Sequence, residues 1–169
     1  MGDQVATWLI PPPEPGSQGA DVEAGIRGLR AALASRVRPR GASQLARALD
    51  LVRAPVRSPM ETRARLMFIR AGFPEPRVNR PVHGEDGQWL LEGDLVWEEQ
   101  RVIGEYQGKD HGSIQRRSAD AARASSAEDE GWTVREVFAA DVYRQPRRIA
   151  CLRRFARALG LDERDMRID

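Results

Sequence analysis

Lysine is almost missing from this chain. Of its 27 basic residues, Lys109 is the one lysine and the others are arginine. Cysteine occurs once, at Cys151, which excludes an intramolecular disulfide framework and any zinc site built from several cysteines. Cys151 itself reads as a small apolar residue on a helix. Histidine occurs twice: His83, in "HGEDG", has the surroundings of a turn residue, while His111 closely follows the lysine. Aromatic residues make up 6%, and Trp89, Trp97, Trp132 and Phe138 are expected in the core, not as stacking platforms for bases. No apolar run approaches the roughly 20 residues needed to span a bilayer, so no membrane association is expected. The N-terminus has no basic region leading into an apolar stretch and a small-residue cleavage site, which makes a cytoplasmic location the expectation.

What is present is a globular composition. An apolar fraction of 41% supports a packed protein, and 169 residues suit one domain with a real core. The net charge of +2 hides an uneven distribution, because "RQPRRIACLRRFAR", Arg144 to Arg157, holds six arginines and no acid. Such a block suits a phosphate backbone, since the guanidinium fork pairs with phosphate through two hydrogen bonds. It also suits the solvated face of an arginine-rich helix.

Residues 1–20 read as a flexible tail, because "PPPEPGSQG" forms neither helix nor ladder. Residues 21–56 read as two accessory helices. The first has Val22, Ile26, Leu29, Leu33 and Val37 at helical spacing; the second is capped by Ser43, with Leu45, Leu49 and Val52 inward. Residues 57–160 read as the main domain. "SPMETRARLMFIRAG" opens a third helix with Ser58 as N-cap, Pro59 at the first helical position and Glu61 at capping-box spacing, and Gly72 closes it. "RVNRPV", "WLLEGDLVW" and "RVIGEYQG" read as three strands joined by short turns, an antiparallel meander. A fourth helix runs from a Ser113 cap to about Glu130. "WTVREVFA" follows as a strand reached by a right-handed crossover, hence parallel to its neighbour. A last helix starts near Pro146 and ends at Gly160, and residues 161–169 read as a polar, frayed tail. The predicted fold is α/β: a mixed four-stranded sheet flanked by helices in the order α-β-β-β-α-β-α, with two extra helices in front.

Three acids stand out in this layout. Asp94 lies in the second predicted strand, Glu105 in the third, and Glu61 near the start of the helix before them. Neighbouring strands lie about 4.8 Å apart, so two inward carboxylates of one hairpin can converge on one divalent cation, with Glu61 within reach. Two or three hard oxygen ligands with open positions suit Mg²⁺ (or Mn²⁺) and phosphodiester hydrolysis. Each acid also has an ordinary explanation: a capping box for Glu61, a strand-edge or bulge acid for Asp94, and an arginine ion pair for Glu105. Glu105 in an otherwise apolar strand needs some partner, because burying an unpaired carboxylate is costly. Strand alternation puts Glu105, Gln107 and Lys109 on one side and Tyr106 on the other.

Asp94, ten intervening residues and then Glu105-Tyr106-Gln107 resemble the motif of the PD-(D/E)XK nuclease superfamily. The succession "SPMETRARLMFIRAGFPEP", "GDLVW", "EYQGKDH", "RRSADAAR" and "EGWTVREVFAADVY" is similar to domains like the very-short-patch repair endonucleases, over about residues 57–160. The resemblance implies Asp94 and Glu105 as metal ligands, with Glu61 as the acid such folds place on the first core helix. It implies a general acid/base or phosphate-contacting role for His111, and a polar helix row, Arg117, Asp120 and Arg123, turned to the site or the backbone. Gln107 stands where the wider superfamily has lysine and this branch commonly has aspartate. Glutamine can bind through its carbonyl but brings no positive charge. Lys109, one strand repeat further on, is the candidate for the displaced ammonium, a compact charge that arginine's fork does not reproduce.

The expected function is therefore a Mg²⁺- or Mn²⁺-dependent DNA endonuclease, in repair, defence or mobile-element processing. Its catalytic set would be Asp94, Glu105, Gln107, Lys109, His111 and Glu61. Its DNA contacts would come from Arg116, Arg117, Arg123, Arg147, Arg148, Arg153 and Arg154. The alternative is a nuclease fold that has lost cleavage and holds DNA or a protein partner, a reading favoured by Gln107 and the extra N-terminal helices. Trp8, Leu9 and Ile10 in the tail form a candidate docking peptide for a protein partner, and a homodimer stays open.

Overall fold

The structure is a computed structural model that describes residues 20–35, 41–53, 55–108 and 114–168, with side chains from residue 24 in the first helix and from 119 in the fourth. The proline-rich tail lies outside the described residues. The chain divides into two compact units, Met1–Pro59 and Met60–Asp169.

In the first unit, α1 (Ala20–Ala34) and α2 (Ala42–Asp50) pack together. Leu49 and Val52 are buried against Ile26, Leu29 and Leu33, the stripe that helical spacing predicts, and Arg30 Nη2 meets Asp50 Oδ1 at 2.6 Å. The start of α2 differs from the expectation. Gly41 is its N-cap, at a left-handed φ of 80°, and no side chain caps it. Ser43 falls inside the first turn, because glycine reaches that conformation without a Cβ clash and starts the helix earlier. Leu45, expected inward, is exposed.

The second unit begins in the first turn of α3 (Pro59–Arg70) and continues through β1 (Arg77–His83), β2 (Trp89–Trp97), β3 (Val102–Gln107), α4 (Ile114–Asp129), β4 (Thr133–Phe138), α5 (Ala139–Tyr143) and α6 (Gln145–Leu159). The sheet has the order β1-β2-β3-β4. β1–β2 and β2–β3 are antiparallel, and β3–β4 is parallel, as a strand reached through a helical crossover must be. The α/β fold with a mixed four-stranded sheet and two preceding helices is thus present.

The two sheet faces carry separate cores. On one, Val96 and Ile103 join Val82, Leu90, Leu91 and Ala127 of α4, with Trp132 and Val134 packed against them. On the other, α3 and α6 bring Phe68 and Phe155 to Trp97, with ring centroids 4.7 Å apart for Phe68–Phe155 and 5.3 Å for Phe68–Trp97. Such pairs contribute about 0.5–1.5 kcal/mol each beyond the area they bury. The Trp97 indole N–H donates to the Pro74 carbonyl at 2.8 Å, so this ring is locked in place. Gly104 lies under Phe155; a Cβ there would come within 3.3 Å of the ring.

Several expectations change. Trp97 is buried and Trp132 partly buried, but Trp89 and Phe138 are exposed, each standing at the end of its strand. Residues 139–143 form the unpredicted helix α5, at whose start the Phe138 N–H donates to Asp141 Oδ2 at 3.0 Å. The C-terminal segment is not frayed through residue 168: it forms a 3₁₀ turn at Glu163–Asp165 capped by Asp162, and the Arg167 N–H donates to the Ala71 carbonyl at 3.0 Å. Cys151 is buried on α6 as expected, and burial first, then the Asp141 charge, push its thiol up to about 12. No helix among the described residues is long and apolar enough to cross a membrane.

Candidate active site

The sheet parts at one place, and the predicted acids lie there. The β1–β2 ladder pairs Val78 with Leu95 and Arg80 with Gly93, leaving out Asn79 and Asp94, which face each other in that register. The β2–β3 ladder pairs Leu95 with Gly104 and stops before Asp94 and Glu105, which come next in that register. On its other edge Glu105 pairs with Glu136 of β4. Asn79, Asp94 and Glu105 thus form a row across three strands at the point where regular pairing fails. Asn79 has a φ of 47°, a left-handed conformation that asparagine tolerates better than most residues. Gly93 is needed beside the row, since a Cβ there would lie 2.7 Å from Val96 Cγ2 and 2.8 Å from Ile103 Cγ2.

This break releases backbone donors and holds carboxylates. Asp94 Oδ2 accepts the Tyr106 N–H at 2.8 Å, so a β2 side chain takes over part of the ladder to β3. Glu61, on the first turn of α3, is buried and its Oε2 accepts from Asn79 Nδ2 at 3.1 Å. Its burial goes beyond what a helix-capping glutamate requires.

Glu105 carries the strongest electrostatic signature. Burial raises its carboxyl most; the Asp94, Asp120 and Glu61 carboxylates raise it further, against a hydrogen bond from the Asp94 backbone, and the net effect pushes it up to about 8. Glu105 Oε1 is buried and has no hydrogen-bond partner among the described residues. The arginine partner that would give this glutamate an ordinary explanation is therefore not at Oε1. A like-charge cluster around an orphaned oxygen is stabilised either by a proton or by a cation. Asp94 and Glu105, two hard oxygen donors brought side by side by adjacent strands, fit a divalent ion. Among the described residues, however, no three His, Cys, Asp or Glu side chains form one metal-holding group, so Glu61 is not gathered with the pair into a three-ligand set.

Gln107 ends β3 and is exposed. Lys109 and His111 lie outside the described residues, as do the side chains of Arg116 and Arg117. Asp120, on the predicted helix row, acts on Glu105 through its charge and accepts from its neighbour Arg123. Sequence reasoning missed Asn79. Its signal was present in "RVNRPV", where asparagine and proline, both disfavoured in strands, interrupt an otherwise regular run.

Much of the arginine block is engaged internally. Arg147 Nε lies 3.0 Å from Asp141 Oδ1 and Arg153 Nε lies 3.2 Å from Glu163 Oε2, while Arg154 Nη2 donates to the Glu136 carbonyl at 2.7 Å. A sequence block with no acid acquires acids from segments on either side of it once folded. Arg148 instead lines a cavity with Arg63, Arg70 and Arg167.

No protein-family model matches the chain, and no solved structure matches it. Two curated relatives from Mycobacterium tuberculosis do: "Uncharacterized protein MT2308" of strain CDC 1551 / Oshkosh and "Uncharacterized protein Rv2248" of strain ATCC 25618 / H37Rv. Each is 30% identical over 149 residues, covering 83% of this chain and 54% of the relative. The chain spans about half the length of the curated relatives it matches.

Proposed function

We propose that the second unit is a divalent-cation-dependent nuclease domain that hydrolyses DNA phosphodiesters, with Asp94 and Glu105 as the ligand pair. One observation carries the proposal: Glu105 has a buried oxygen with no partner among the described residues, in a cluster of like charges that pushes its carboxyl up to about 8. A strand that holds a carboxylate in that state at neutral pH has a charge deficit that a cation fills. The resemblance of Asp94, Glu105-Tyr106-Gln107 and the surrounding elements to PD-(D/E)XK nucleases points the same way.

A bound Mg²⁺ or Mn²⁺ would supply a lowered pKa for an attacking water and Lewis-acid stabilisation of the phosphate. The chain's own residues supply the rest. The Tyr106 N–H fixes the direction of the Asp94 carboxylate, while Asn79 holds Glu61. Glu105, with its buried Oε1, would hold such an ion beside Asp94 in its ionised form. Gln107 offers an uncharged amide to water or a phosphate oxygen, and Lys109 and His111 supply the positive charge and proton transfer that Gln107 lacks.

The test is cleavage of supercoiled, nicked, mismatched and single-stranded DNA by the purified protein in Mg²⁺ or Mn²⁺, beside Asp94→Ala and Glu105→Ala. Cleavage by wild type alone supports the reading; a wild type that cuts none of these substrates refutes it. A second reading, a DNA-holding module without cleavage, is favoured by the uncharged, exposed Gln107 at the motif's third position. Salt-dependent DNA binding without cleavage, unchanged in Asp94→Ala, selects it.

A further inference from the structure

Within the second unit, α3, α5, α6 and the C-terminal segment line an open cavity, a cleft of about 500 Å³. That volume lies in the range of small-ligand sites, about 300–1,000 Å³. Its lining includes none of the acids of the candidate active site, and no acid at all. It includes four arginines, Arg63 and Arg70 of α3, Arg148 of α6 and Arg167 of the C-terminal segment. Several other arginines of this unit are matched by acids, as Arg147 is by Asp141 and Arg153 by Glu163. Among the described residues these four have no such partner. Arg148 Nε is out of solvent with no hydrogen-bond acceptor among the described residues, a state it shares with the Nε of Arg65, Arg80 and Arg154, and at the cleft an acceptor from outside can relieve it.

The rest of the lining is apolar. Leu66 and Met67 of α3 and Leu152 of α6 form the floor, and Tyr143 stands at the side with its ring exposed. Arg63 donates to the Tyr143 hydroxyl, and its guanidinium carbon lies 5.4 Å from the centroid of that ring. Arg63 lies over one face of the Tyr143 ring, which leaves the other face as a surface for a flat partner. The Arg167 N–H bond to the Ala71 carbonyl at 3.0 Å fastens the C-terminal segment, and Arg167 with it, to the end of α3.

We propose that this cavity binds a nucleoside phosphate, its phosphates on the four guanidiniums and its base against Tyr143 and the apolar floor. Four uncompensated guanidiniums exceed what a single carboxylate needs and suit a di- or triphosphate or a phosphorylated strand end. Arginine forks bind phosphate through paired hydrogen bonds, and an aromatic ring over an apolar floor accepts any base. The shared chemistry has two sources, a free nucleotide or the 5′-phosphate end of a nucleic acid strand. The site is separate from the Asp94–Glu105 pair and does not depend on its reading.

The experiment is calorimetric titration of the full chain in low salt with EDTA, using ADP, adenosine and short single strands with either a 5′-phosphate or a 5′-hydroxyl. ADP is expected to bind, and adenosine to bind at least about tenfold more weakly. Arg63→Glu with Arg70→Glu should abolish binding, Arg148→Lys should weaken it about tenfold, and Asp94→Ala should leave it intact. Arg63, Arg70 and Tyr143 are exposed, so the double charge reversal and Tyr143→Ala should melt at the wild-type temperature. Tighter binding of the 5′-phosphate strand than of ADP, with the 5′-hydroxyl strand weak, identifies the strand end as the ligand; the reverse identifies the free nucleotide. The proposal is overturned if neither ADP nor the phosphorylated strand binds, or if the double charge reversal binds as wild type does.

Discussion

Glu105→Gln should stabilise this protein at alkaline pH and have little effect in acid. The folded state holds the Glu105 carboxyl near 8, against 4.5 for the group in water. Below pH 4.5 both folded and unfolded chains keep the proton, so the group gives no pH dependence. Between 4.5 and about 8 the unfolded chain loses the proton while the folded chain keeps it, so stability falls as pH rises. Above about 8 the loss is complete. At about 1.4 kcal/mol per pH unit, the interval corresponds to a loss on the order of 5 kcal/mol, an upper value because water entry and local relaxation ease a buried charge. That is a large share of the roughly 5–15 kcal/mol that holds a domain folded. Glutamine imitates the protonated acid at every pH and escapes the loss. Urea denaturation followed by tryptophan fluorescence, at intervals from pH 4.5 to 9 without divalent ions, measures it. The gap between Glu105→Gln and wild type should open from near zero to several kcal/mol in favour of the variant. A gap that stays flat, within about 1 kcal/mol, across the range refutes the placement of this carboxylate in a buried, like-charged site.

Asp94→Asn removes the largest of the like charges acting on Glu105, so the midpoint of the same pH profile should move below about 8. Gly93→Ala places a Cβ at 2.7 and 2.8 Å from the buried methyls of Val96 and Ile103 and should cost about 1–3 kcal/mol in urea denaturation. Phe155→Ala opens the aromatic cluster where Phe155 meets Phe68 and Trp97 and should cost about 3–5 kcal/mol. Asn79→Ala loses the donor to Glu61 and forces alanine to a φ of 47°, for about 2–3 kcal/mol. Asn79→Gly loses the side chain but accepts the left-handed backbone, so comparing the two melting curves separates backbone strain from side-chain loss.

The elements were readable because their signals are local. Pro59 and Gly72 bracket α3, β-branched residues mark β4, and a helix between β3 and β4 requires a parallel pair. The acids were readable too, since Asp94 and Glu105 interrupt apolar strands. What escaped depends on distant groups. No local rule reveals that Asn79 faces Asp94 across a failed ladder, because that needs the β1–β2 register. Trp89 and Phe138 look like core residues by type, yet they stand at strand ends and are exposed. The arginine block looked like a free basic surface, because Asp141 and Glu163, which neutralise part of it, lie outside the quoted run. Four arginines scattered from 63 to 167 gave no sign of converging on one cavity.

The parallel pairing of β3 with β4 has a consequence for synthesis on the ribosome. β3 is interior in the finished sheet, but its partner lies beyond the whole of α4. Until residue 138 has emerged, the nascent chain displays β3 as an open edge, with the amides of Ile103, Glu105 and Gln107, the alternate residues turned away from β2, unmatched. This edge therefore stays uncovered until the crossover helix and β4 have both been made. At usual elongation rates of about 5–20 residues per second, the wait lasts a few seconds. A stall or truncation before Thr133 should send the chain to aggregates instead of a smaller folded core.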